Sequence, residues 1–177
     1  MRNVPNRYRG LPPRTPEMLF NIVRKFYRGA VSHYELIQDK KAEVRRAWEN
    51  YRTTGESERV EQALTTLFLE FHFYVTCWLQ IDLALYRLMR LEGTKQLTEV
   101  MEPYRDVLEK HLSVREQLDR TEACVQAQWE HFGQQLACVE MDAYWFEGIV
   151  FTVDEDSLAA LHGLYEAIMK HRSMTAS

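Results

Sequence analysis

The chain has 177 residues, enough for one domain with a sizeable core, and its 46% apolar and 27% charged content is that of a globular protein, not a disordered one. Twenty-six acidic against 22 basic side chains give a net charge of −4, which argues against a large nucleic-acid surface. Three cysteines at wide spacing, with no CxxC pair, argue against a disulfide framework or a zinc site and for reduced thiols in a cytoplasmic protein.

The first 15 residues hold three of the five prolines and Arg2, Arg7, Arg9 and Arg14, and are expected to form a flexible basic arm. No apolar signal core is present, so secretion is not expected. A single domain should span residues 16–172, followed by a disordered tail over 173–177.

The first helix should start near Pro16, a residue suited to a first turn. Leu19, Ile22, Val23, Phe26, Ala30, Tyr34 and Ile37 recur at helical spacing. The pattern weakens over the charged stretch 39–46 and resumes at Trp48 and Tyr51. A bend at Gly29 and a left-handed stop at Gly55 are expected. A second helix should run from about Ser57 to Leu91, with Gly93 as its stop. Its middle is apolar nearly all round, as in the centre of a bundle. The uncharged run from Phe71 to Ile81 is far shorter than the ~20 residues of a membrane span, so no membrane segment is expected. Glu70, His72, Thr76 and Asp82 interrupt it and need polar partners or solvent.

A third helical region should start at Thr94, restart at Pro103 and continue to about Val125, carrying Val107, Leu108, His111, Leu112, Arg115 and Leu118 on one stripe. A strand is expected in Leu136–Met141. Residues 143–146 and 149–153 flank Glu147–Gly148, which predicts a tight β-hairpin. Trp145 and Phe146 should pack on the helices, and His131 should serve a turn. Asp154 should cap a final helix with Leu158, Leu161, Leu164, Tyr165, Ile168 and Met169 on its inner face. The fold class is therefore mainly α: a bundle of four to five helices with a C-terminal β-hairpin inserted before the last helix.

No phosphate loop, nucleophile elbow or HExxH motif occurs, and no acidic residue stands three positions before any of the six histidines. No metal and no cofactor are expected. Chemistry instead concentrates in residues 103–122, where His111 and Arg115, and Arg115 and Asp119, are four apart and side by side on a helix. An arginine held by a carboxylate beside a histidine can bind phosphate and move a proton, the requirements of RNA cleavage by 2′-hydroxyl attack. The same spacing also suits a solvated, salt-bridged helix face.

With these residues, the long bundle and the late β element, the chain resembles the HEPN superfamily. Its signature is Arg, four to six residues, then His, often Arg-Asn/Asp-x-x-Glu-His. Arg105 and His111 fit the loose spacing, although five intervening residues put them about 120° apart on a helix. The segment Arg115-Glu-Gln-Leu-Asp119-Arg120 fits the extended pattern, with Arg120 where the histidine belongs. The resemblance implies Arg105, His111 and Arg115 as catalytic residues and Asp119 and Arg120 as binding residues. It further implies a metal-independent RNase or a toxin–antitoxin or phage-defence component, working as a homodimer or with a protein partner. The lost histidine of the second register implies an inactive relative instead. Beside it stands a non-catalytic helical protein-interaction module. A small-molecule-binding bundle with a pocket near Glu70, His72 and Asp82 is the third class.

Overall fold

The computed structural model describes residues 13–92 and 95–175. Most of the arm, the Gly93 stop, the Thr94 start and the last two residues lie outside them. Two long antiparallel helices, α1 (Pro16–Thr54) and α2 (Glu58–Glu92), form the frame. Thr15 caps α1 by accepting the Met18 N–H at 3.2 Å, and Gly55, at φ 75°, closes it as a left-handed cap. The helix runs unbroken through Gly29. A Cβ on Gly29 would stand 3.3 Å from Cys77 Sγ, so glycine there lets α1 lie close against α2.

α2 supplies the centre of the core. Phe68, Phe71, Tyr74 and Trp78 are fully buried on one face. Phe68 and Phe71 meet the rings of Tyr144, Phe146 and Phe151 from the hairpin, all at edge-to-face or tilted angles.

The expected third helix is divided. α3 (Lys95–Met101) leads into a 3₁₀ turn at Glu102–Tyr104 containing Pro103, and α4 (Arg105–Leu118) follows. A turn at Asp119–Arg120 then separates α4 from α5 (Thr121–Phe132), where the sequence predicted continuity to Val125. The break has no glycine or proline. The Thr121 hydroxyl and the Cys124 thiol instead donate to the Leu118 and Gln117 carbonyls that end α4.

The strand expected over Leu136–Met141 is a short helix, α6 (Ala137–Met141). Leu136 and Asp142 at its ends both take left-handed backbone conformations, which no extended strand accommodates. Strands β1 (Tyr144–Phe146) and β2 (Ile149–Phe151) pair antiparallel, with Tyr144 opposite Phe151. Glu147 and Gly148, both at positive φ, make the two-residue turn. Asp154 caps α7 (Glu155–Thr175), accepting the Ser157 N–H at 2.9 Å, and α7 continues past Arg172. The molecule is thus a mainly α bundle with the hairpin set before its last helix. No helix among the described residues is long and apolar enough to cross a membrane.

Two side chains anchor the hairpin. Lys41 lies within the charged stretch of α1, yet it occupies the buried stripe Ile37, Lys41, Val44, Trp48. Its ammonium reaches Asp142 before β1 and the Val153 carbonyl after β2, at 2.5 and 2.6 Å. The fully buried Gln128 of α5 completes β1 from the other side. Its amide accepts the Trp145 N–H at 2.9 Å and donates to the Trp145 carbonyl at 2.7 Å. Gln128→Leu leaves both backbone groups unpaired and should destabilise the fold by about 2–3 kcal/mol in urea unfolding. His131 stacks flat on the half-buried Trp145, centroids 4.0 Å apart, while Phe146 is buried.

Candidate functional site

α4 presents its polar residues in different directions. Arg105 is exposed and ion-paired with Glu102 one turn earlier. It borders a cavity of about 290 Å³ between α2, α3 and α4, together with Asp82, Met89, Met101 and Leu112. Burial raises the Asp82 carboxyl above its ordinary range.

His111 is turned inward and only 3% exposed. Its ring stacks on Trp78 at 4.3 Å and meets Phe151 edge-on at 5.3 Å. Nδ1 donates to the Val107 carbonyl at 2.7 Å, which fixes the tautomer and leaves Nε2 a buried acceptor without a partner. Burial lowers its pKa to about 4, so the ring is neutral at pH 7. His111 borders a second cavity of about 340 Å³ with Lys110, Phe151, Asp154 and Ser157. Arg105 and His111 therefore line separate cavities, and Arg115 lines neither.

Arg115 and Asp119 do come together. Arg115 Nη2 lies 3.8 Å from Asp119 Oδ1, and the same oxygen lies 3.3 Å from His72 Nε2 of α2. All three are at least partly solvated, so the contacts are weak ones by the standard of surface ion pairs. Arg120 is exposed and 3.9 Å from Glu147. His72 was legible only as a polar interruption of α2. Forty-seven residues separate it from Asp119, and no local spacing links them.

The expected pocket at Glu70, His72 and Asp82 is not assembled. Glu70 meets His33 Nδ1 at 2.8 Å on the α1 side, His72 meets Asp119, and Asp82 faces the first cavity. Among the described residues, no three His, Cys, Asp or Glu side chains are grouped to hold a metal ion. Cys77, Cys124 and Cys138 are buried free thiols, raised by burial to about 11, 11 and 12, and so are protonated and poor nucleophiles at neutral pH.

The outer face of α2 is a different kind of feature. Leu69, Phe73, Leu83 and Leu91 expose between 38% and 52% of their surface, opposite the buried face of the same helix. With Thr76, Gln80 and Arg87 they fall within a sector of about 80° and extend for about 33 Å. His33 of α1 stacks against Phe73 at 5.3 Å, and the exposed Leu36 lies one turn further along α1.

No family model matches the chain, and no curated protein or solved structure matches it.

Proposed function

We propose that this protein is a non-catalytic helical interaction module that works by protein contact through the outer face of α2. The observation that carries this reading is the row of exposed apolar residues Leu69, Phe73, Leu83 and Leu91 along the outer face of α2, interrupted by Thr76, Gln80 and Arg87. The separation of Arg105 from His111, and the enclosure of the neutral His111 ring, support the absence of a catalytic centre within one chain.

A second reading has one observation in its favour. In a HEPN-like RNase of a toxin–antitoxin or defence system, His72 would take the place left by the missing signature histidine, beside Asp119 and Arg115. Incubating the protein with a labelled RNA pool, with and without a chelator, separates the two readings. The expected result is no cleavage above buffer. Metal-independent cleavage lost in His72→Ala and Arg115→Ala would replace the first reading with the second, and loss in His111→Ala would place the chemistry at His111.

A further inference from the structure

We infer that the partner seated on this face is a second copy of the same chain, with the two α2 helices antiparallel about a two-fold axis at Thr76. The inference rests on the contact-module reading and adds the occupant and its register.

One apolar pair of the stripe, Leu69 and Leu83, is centred on Thr76. Leu69 and Leu83 stand seven residues to either side of it, so end-over-end rotation about that point sets Leu69 of one copy against Leu83 of the other. The charges follow the same symmetry. The N-terminal end of α2 carries exposed Glu58 and Glu61, and the C-terminal end carries exposed Arg87 and Arg90. At 100° per residue, Glu61 and Arg90 lie on the same flank of the stripe, within about 20° of each other. A two-fold axis across the helix brings like flanks together, so Arg90 of each copy faces Glu61 of the other, fifteen and fourteen residues from the axis. A parallel pairing would instead bring like ends to one level and unlike flanks together, leaving no Glu61–Arg90 pair. The antiparallel arrangement also opposes the two helix dipoles.

The flanking helix extends the surface. α1 lies beside α2 through His33 and Phe73, and the two copies of α1 share one flank of the α2 pair, facing each other across the axis. A face about 33 Å long and two helix diameters wide is roughly 700 Å² per copy, close to the ~800 Å² of a standard interface. The polar Thr76 and Gln80 at its centre fit a reversible dimer better than an obligate one.

Sedimentation velocity across a concentration series tests the register through a charge swap. Glu61→Arg and Arg90→Glu should each weaken dimerisation by about tenfold, because each sets like charges together twice per dimer. The Glu61→Arg/Arg90→Glu double variant should return to within about threefold of the parent. All three should keep the parent's far-UV circular dichroism, since both positions are exposed. A parent that stays monomeric to millimolar concentration overturns the inference, while the RNA assay still decides the contact-module reading separately. Dimerisation unaffected by either single variant, or a double variant no better than the singles, overturns the register.

Discussion

Replacing Asp142 by alanine is expected to destabilise the protein by about 3 kcal/mol, and Lys41→Ala by about 4 kcal/mol, in urea or thermal unfolding. Lys41 is 2% exposed, and burial already holds its ammonium below the usual lysine range despite the contact with Asp142. Removing the carboxylate leaves that ammonium in the core with the Val153 carbonyl as its acceptor. Removing the lysine adds a cavity under α1, where the aliphatic stem fills the stripe between Ile37 and Val44. Lys41→Met keeps the stem and discards the charge, and should cost only about 2 kcal/mol, because Asp142 is partly solvated and Gln38 still donates to Val153. Equal losses in Lys41→Met and Lys41→Ala would show that the ion pair, not the packing, dominates.

The second large effect is a pH dependence. His111 holds a pKa of about 4 in the fold against 6.5 when unfolded. Between these values the unfolded chain binds the proton and the folded chain does not, so stability rises with pH across this window and is lost as pH falls through it. The full span is about 3 kcal/mol for this one group. Asp154, held below its ordinary value by the Ser157 N–H and O–H bonds against the opposing effect of burial, also loses stabilising interactions on acidification. Asp82, raised by burial, acts in the opposite sense. The difference between the parent and His111→Phe isolates the histidine. The variant should melt higher relative to the parent at pH 5 than at pH 8. A difference that is the same at both values would mean that the ring is not held neutral by the fold.

The helices were legible wherever period and punctuation agreed. Pro16, Gly55, Pro103 and Asp154 each mark a boundary by a local backbone or hydrogen-bonding preference, and Glu147–Gly148 marks the hairpin turn. The failures share a cause. The turn between α4 and α5, closed by the Thr121 hydroxyl and the Cys124 thiol, and the short helix over Ala137–Met141, bounded by non-glycine residues in left-handed conformations, are both set by features that residue preference does not forecast. Lys41 reads as one charge among many in the 39–46 stretch, and only its place on the Ile37–Val44–Trp48 stripe hints at burial. Likewise the α4 residues were legible as a spacing but not as a site. The apolar stripe takes His111 into the core, Arg115 meets Asp119 as the four-residue spacing predicts, and Asp119 also meets His72 of α2, a contact that sequence distance conceals. The outer α2 residues were hidden for the opposite reason. In a helix apolar nearly all round, the sequence does not distinguish the buried face from the exposed one.

The most direct measurement is the solution mass of the parent and of Phe73→Glu by sedimentation velocity at matched concentrations. Phe73 is half exposed and three residues from the proposed axis, so the glutamate should leave the fold intact while placing a charge in the proposed contact. The account predicts a concentration-dependent dimer for the parent and a monomer of unchanged helicity for the variant. A dimer that persists in Phe73→Glu would contradict the assignment of the outer face of α2 as the contact surface.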